Sequence, residues 1–449
     1  MDQTESNPVC ELNILSLCCF LYCLPATIHS ELARYHHKKN LLLIGVYFLI
    51  VYLFVKTTIM FSRAIIHMDL DSFFVSVERL KNSAFNGKPL IIGGSSRRGV
   101  VASCSYEARK FGVHSAMPIK MARYLCPDAI FIRGDMESYS RHSAIVSEII
   151  GEESPLYEKA SIDEFYIDLS GMDRYFGCYL WGTELREKIM RESGLPISFG
   201  LAINKLVSKV GTGEAKPNGS MQIKSGTEKI FLDPLHIRKL PGIGKKTAAQ
   251  LSFMGVRKIK TLSEIPPALL RAEFGKNGQK LWEKSNGIDH SPVEPYSERK
   301  SISSERTFQQ DTLDIAHIHS LLSSMAGELA YDLRQSGKMT GCITVKIRYA
   351  DFNTFTRQKR IPLTTSDNTL ARYARELFDA LYSRRQLIRL IGLRFSSLVH
   401  GNQQLSLFED NSKEMDLLQK MDEIRTKFGR NSLQRASWVT GQRQTNEPN

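Results

Sequence analysis

The pattern of apolar positions changes character near residue 60. Before it lie two apolar stretches, Leu12 to Leu24 and Leu41 to Val55, the second uninterrupted over 15 residues. A membrane-spanning helix needs about 20, and Lys56 would have to snorkel to carry the second run on to Phe61. After it, Ala64 to Met68 reads as a buried strand ending in Asp69-Leu70-Asp71. Phe73, Val77 and Leu80 then recur at helical spacing, with Asp71 or Ser72 placed to cap that helix. About ninety residues on, Tyr157 to Ile162 and Phe165 to Leu169 read as short strands around Asp163-Glu164. Neighbouring side chains of a regular strand point to opposite faces, so these two acids reach one place only at a turn or bulge.

Further along, Lys239-Leu240-Pro241-Gly242-Ile243-Gly244-Lys245-Lys246-Thr247 has the pattern of a helix–hairpin–helix. Residues 291–300, with Pro292 and Pro295, read as a linker. Beyond it the order predicted is strand, helix (about 313–335), two strands, helix (about 368–383), strand. In Ile343 to Tyr349 the apolar residues alternate with Thr344, Lys346 and Arg348, so one face packs on helices and the other presents cations. Leu417, Leu418, Met421, Ile424 and Phe428, ending at Gly429, predict a short amphipathic helix.

Composition narrows the class. The chain has 449 residues, 42% hydrophobic and 24% charged, which excludes global disorder and suits two to four domains. Its net charge of +13 is unevenly placed: +2 over residues 1–230, +6 over 231–290 and +6 over 297–400. A balanced front half followed by two basic modules fits a catalytic part and two phosphate-gripping parts. Cys104, Cys126, Cys178 and Cys342 are far apart without metal-ligand spacing, and read as reduced, buried thiols of a cytoplasmic protein. Cys10, Cys18, Cys19 and Cys23 crowd the first 23 residues.

Two acidic sites at strand ends suit a two-metal centre, because hard Mg²⁺ ions take carboxylate oxygens and leave positions for phosphates and water. Taken singly, each is also what a solvated turn or hairpin tip looks like.

His67-Met68-Asp69-Leu70-Asp71-Ser72-Phe73-Phe74-Val75-Ser76-Val77-Glu78 and Ser161-Ile162-Asp163-Glu164 resemble the two metal motifs of the Y-family DNA polymerases, in their bacterial polymerase IV type. Tyr106 to Val113 and Ala215-Lys216-Pro217-Asn218-Gly219 resemble two further blocks of that family, in the same order, and the likeness covers roughly residues 60–435. The resemblance implies an α+β multidomain right-hand polymerase with palm, small fingers, a helical helix–hairpin–helix thumb and a βαββαβ little finger. It implies template-directed, low-fidelity translesion synthesis on primer-template DNA, and no part of the chain remains to house a proofreading exonuclease. Asp69, Asp163 and Glu164 would be catalytic and would hold two Mg²⁺ ions with the Leu70 carbonyl. Tyr106, Arg109 and Lys216 would cradle the deoxynucleoside triphosphate. Phe74 stands at the steric-gate position under the sugar, with Phe73 behind it.

The same likeness divides the chain. Residues 60–83 and 134–230 are expected as palm, 84–133 as fingers, 231–290 as thumb and 301–400 as little finger. Gly242, Gly244, Lys245 and Lys246 would grip the DNA backbone from the thumb, and Lys346 and Arg348 from the little finger. Within the tail 401–449, Gln404, Leu405, Leu407 and Phe408 resemble the peptide by which bacterial polymerases dock on the sliding clamp. The protein is expected to be a monomer. Residues 1–59 leave three readings: a single-span anchor, an apolar hairpin, or a mis-assigned start with Met60 as the true first residue, which is preferred. By the balance of Arg34, Lys38 and Lys39 against Lys56 and Arg63, a single span would export the remainder, a poor place for DNA synthesis. Two other functions compete, a non-catalytic DNA-binding adaptor recruited by the clamp and a two-metal nuclease. Retained acids argue against the first, the gate and triphosphate residues against the second.

Overall fold

The computed structural model describes residues 63–94, 96, 98–172, 177–401, 412–430 and 432–436. The extension 1–59 and the peptide Gln404–Phe408 lie outside these residues.

The run from Ala64 is apolar on both sides and becomes β1 (Ile65–Leu70), which fits the central place it takes in its sheet. Helix α1 (Phe73–Lys81) follows at once. Ser72 holds the N-cap position but sits in the left-handed region (φ 44°) and its side chain makes no capping bond; neither does Asp71 cap the helix, contrary to the sequence expectation. The Asp71 carboxylate is taken by other partners, and its carbonyl accepts from Ser76 Oγ at 2.7 Å.

Next come β2 (Leu90–Gly93), β3 (Val101–Cys104), α2 (Tyr106–Arg109), α3 (Ile119–Leu125) and β4 (Ile130–Ile132). They form a small three-stranded sheet of order β3-β2-β4, with its own core of Ile91, Val101, Cys104, Val113 and Ala122. The chain then returns through α4 (Met136–Glu153), β5 (Tyr157–Lys159), β6 (Glu164–Asp168), α5 (Cys178–Ser193), β7 (Ile197–Ala202), α6 (Lys205–Ala215) and β8 (Ser220–Gln222). These complete a five-stranded sheet of order β5-β6-β1-β7-β8. Ile66, Met68 and Leu70 pack with residues of α4 and α5, while Ile65, His67 and Asp69 point to the opposite face. On that face α6 comes so close that a Cβ on Gly200 would lie 2.3 Å from the Ser208 carbonyl oxygen.

Helices α7 (Glu228–Leu232), α8 (Lys245–Phe253), α9 (Ile259–Glu264), α10 (Pro267–Phe274) and α11 (Lys276–Ser285) share a core with Leu206, Val207 and Val210 of α6. The stretch read as a linker is fastened down. Val293 is buried against Ile65 and Tyr166, and Glu294 N–H donates to Glu158 at 2.8 Å.

The last sheet has the expected order: β9 (Ser301–Thr312), α12 (Ile315–Gln335), β10 (Lys338–Tyr349), β11 (Thr354–Thr364), α13 (Asp367–Leu381) and β12 (Ile388–His400). It runs β11-β10-β12-β9, antiparallel throughout, with α12 and α13 on one face. Arg98, from the loop before β3, bridges the two sheets by donating to the Phe308 carbonyl (3.0 Å) and Asp311 (2.5 Å).

Helix α14 (Ser412–Phe428) ends before Gly429 as the pattern predicts, yet of the five apolar residues that predicted it only Leu418 and Met421 are buried; Leu417, Ile424 and Phe428 are exposed. Its docking is largely ionic. Arg334 donates to Asp422 (2.6 Å), to Asp367 (2.7 Å) and to the Thr365 carbonyl. Cys104, Cys126, Cys178 and Cys342 are buried, as expected of well-separated thiols. Among the described residues no helix is long and apolar enough to cross a membrane.

Candidate active site

Strand pairing assembles the acids. In the antiparallel ladders Asp69 lies opposite Glu164 on β6 and opposite Ser198 on β7. Leu70 N–H donates to the Asp163 carbonyl at 3.0 Å, which ties the turn before β6 to the end of β1. That turn is shaped by Ser161, whose hydroxyl bonds the Asp163 carboxylate (2.6 Å) and accepts from Glu164 N–H (3.1 Å). Ser143 of α4 holds the Ile162 carbonyl. Two acids adjacent in sequence are thus brought beside Asp69, as the turn between the strands allows.

Crowded carboxylates need cations. Burial pushes the Asp69 carboxyl up to about 6; Lys216 opposes the rise, while Asp163 and Glu164 reinforce it. Lys216 Nζ bonds the Asp69 carboxylate and lies 3.5 Å from the Leu70 carbonyl. Lys209 Nζ bonds both oxygens of Glu164 at 2.7 Å. Both lysines come from α6 or its end, on the sheet face that carries Asp69. As the side chains stand, the ammonium groups take the carboxylate oxygens, and among the described residues no three His, Cys, Asp or Glu groups converge on one point. The donor set itself, three carboxylates and a carbonyl beside two displaceable lysines, is of the hard oxygen type that Mg²⁺ takes.

The other candidates surround this cluster. Phe74 is half-buried on α1 and stacks on Tyr139 of α4, centroids 4.2 Å apart and planes 11° from parallel. Phe73 is buried behind it, 5.6 Å away. Tyr139 in turn donates to Glu78 at 2.8 Å. Tyr106 begins α2, which Ser105 caps, and its hydroxyl reaches Asp71 at 3.3 Å. Burial, with Asp71 close by, pushes that phenol up to about 12. Arg109 lays its exposed guanidinium over the Tyr106 ring at 4.8 Å.

Two further surfaces carry the remaining described candidates. Gly242, at φ 96°, and Gly244 form the turn before α8, and Lys245 and Lys246 open that helix. Lys284 of α11 holds the turn by donating to the Pro241 carbonyl at 2.9 Å. On β10, Lys346 and Arg348 do point away from the helices. Lys346 pairs there with Glu305, and Arg348 bonds Thr354 at 2.9 Å. Sequence reading had not singled out Lys209, Tyr139, Lys284, Arg360 or Arg394. The last two share the open face because Cys342 pairs with Arg360 and Thr344 with Arg394. Period-two alternation in Thr354 to Thr364 and Ile388 to His400 held that signal, but only the register says which phase faces out. Lys209 recurs seven residues before Lys216, a spacing that carries no chemistry by itself.

The description "impB/mucB/samB family" fits residues 68–213, "DNA polymerase-iota, thumb domain" fits 238–289, and "impB/mucB/samB family C-terminal domain" fits 299–407. A DNA polymerase IV of Dehalococcoides mccartyi strain BAV1 is 39% identical over 382 residues, covering 83% of this chain and 96% of the relative. A DNA polymerase IV of Treponema denticola is 36% identical over 381 residues, covering 84% and 96%. Among solved structures, a Y-family chimera of Dbh and Dpo4 superposes with a TM-score of 0.68 at 27% identity, over 75% of this chain and 100% of that one. The insertion ternary complex of Dbh DNA polymerase gives 0.56 at 26% identity, with the same coverage. Relatives matched over nearly their whole length, and solved neighbours covered completely, agree with the order of acidic sheet, glycine turn and second sheet seen here, and place this chain in the Y family of DNA polymerases, DNA-directed DNA polymerases of the polymerase IV type.

Proposed function

We propose that this chain adds deoxynucleotides to a primer 3′-hydroxyl by two-Mg²⁺ catalysis, with low fidelity, across damaged template and without proofreading. The observation that carries the reading is the backbone pairing that sets Asp69, Asp163 and Glu164 side by side at the joined ends of β1 and β6. Mg²⁺ held by these three and the Leu70 carbonyl would supply activation of the primer hydroxyl and neutralisation of the leaving pyrophosphate. The protein's own groups do the rest. Lys216 has a flexible stem long enough to turn from Asp69 to a phosphate oxygen, and Arg109 and Tyr106 bracket the triphosphate with it. Phe74, backed by Tyr139 and Phe73, selects deoxyribose by leaving no room for a 2′-hydroxyl.

In this reading the four cores are palm, fingers, thumb and little finger with the boundaries given above. The glycine turn with Lys245 and Lys246, and the open face with Lys346 and Arg348, hold the DNA backbone. Gln404, Leu405, Leu407 and Phe408 recruit the sliding clamp, and the protein acts as a cytoplasmic monomer. Primer extension by the full chain with Mg²⁺ and the four deoxynucleoside triphosphates tests the reading. Extension by the parent and none by Asp163→Asn is the expected result. DNA binding without extension by either protein would overturn it in favour of the adaptor.

A further inference from the structure

Asp71 has no part in the roles assigned so far, yet it is the most enclosed acid of the site, 2% exposed. One oxygen accepts from the Tyr106 hydroxyl (3.3 Å) and lies 3.6 Å from Lys216 Nζ. The other accepts from Ser198 Oγ (2.8 Å) and from Asn218 N–H (2.6 Å). Ser198 Oγ itself accepts from Gly219 N–H at 3.2 Å. The turn these bonds hold is a demanding one. Asn218 is left-handed at φ 51°, and a Cβ on Gly219 would lie 2.1 Å from the Ala215 carbonyl oxygen. From the other side Arg186 bonds the Asn218 carbonyl (2.8 Å) and its side-chain oxygen (2.6 Å).

We propose that Asp71 is a positioning residue that joins Tyr106 to the Lys216–Gly219 turn, so that the two halves of the triphosphate grip form one preorganised unit. Its acceptor capacity is engaged by three donors and a nearby ammonium group, which distinguishes it from Asp69, whose contacts are with displaceable lysine. A carboxylate suits the site better than an amide, whose N–H₂ in place of the oxygen beside Tyr106 would face the Lys216 ammonium and force the phenol to accept instead of donate. The inference rests on the polymerase reading and deepens it.

The test is steady-state primer extension by the full chain, with primer-template affinity measured alongside. Asp71→Asn is expected to raise the KM for deoxynucleoside triphosphate about tenfold or more while kcat falls less than about threefold and DNA affinity holds. Tyr106→Phe should raise KM less, and the double variant should match Asp71→Asn instead of adding to it. Should Asp71→Asn fail to fold, Ser198→Ala and Tyr106→Phe read the same carboxylate from its donors, each raising KM. An unchanged KM, a kcat loss like that of Asp163→Asn, or fully additive effects would overturn the assignment. A parent that fails to extend would refute the polymerase reading instead.

Discussion

At the scale of single residues, burial decides how Asp69 behaves, with Lys216 opposing it. With the Asp69 carboxyl held up to about 6, a proton competes with any cation for that group below about pH 6, and the competition fades above it. Mg²⁺ should therefore raise the thermal midpoint of the DNA-free protein more at pH 7.5 than at pH 5. Equal shifts at the two pH values would contradict the assignment of Asp69 as a ligand. The aromatic pair makes a separate statement. Phe74 is held by its stack on a fully buried Tyr139. Phe74→Val should lower the preference for deoxy- over ribonucleotides by about tenfold or more, read as a ratio of kcat/KM values. An unchanged ratio would remove Phe74 from that role.

Among the elements, strand register decides which cations share the open face of the last sheet. Strand β11 carries Arg357, Lys359 and Arg360 within four residues, and only Arg360 shares the open face with Lys346, Arg348 and Arg394. Arg357 instead donates to the Ala380 carbonyl of α13, and Lys359 pairs with Glu376 of the same helix. Gly392 keeps the open face passable: a Cβ there would stand 3.1 Å from Glu305 Cγ and 3.3 Å from Lys346 Cβ. Arg360→Ala or Arg394→Ala should weaken primer-template binding and reduce its salt slope by about one, measured by anisotropy over a range of salt. Arg357→Ala should leave the slope alone.

Over the whole molecule, polar fasteners add to apolar joints such as the core that α6 shares with α7–α11. Arg98 links the small sheet to β9, Glu158 receives the segment after α11, and Arg334 binds α14 to the last sheet. The Arg334 cluster is deeply placed, with Asp367 1% exposed. Without Arg334, Asp422 keeps Arg425 at 3.3 Å and Asp367 keeps Arg435 at 3.9 Å, so the cost falls short of the roughly 3–5 kcal/mol of a fully broken buried pair. Arg334→Ala should lower unfolding stability by about 1–3 kcal/mol in urea titration, the scale of lost charged hydrogen bonds. A loss under about 1 kcal/mol would mean that Leu418, Met421 and the Ser366–Glu414 bond suffice to hold α14.

The order of elements was written in the sequence because its signals are local. An apolar run ending at Asp69, glycines spaced for a turn at Gly242 and Gly244, and alternation from Ile343 to Tyr349 each act over a few residues. Motif likeness added the family and the roles to test. Tertiary structure alone decided that Asp69 faces Glu164, that Lys209 and Lys216 answer both acids from α6, and that Asp71 serves the turn at Asn218 instead of the helix beside it. It also decided that Leu417, Ile424 and Phe428 stay outside while Arg334 and Asp422 do the docking. These outcomes depend on register, burial and charge between segments far apart in the chain, and no local pattern encodes which distant partner a side chain will meet.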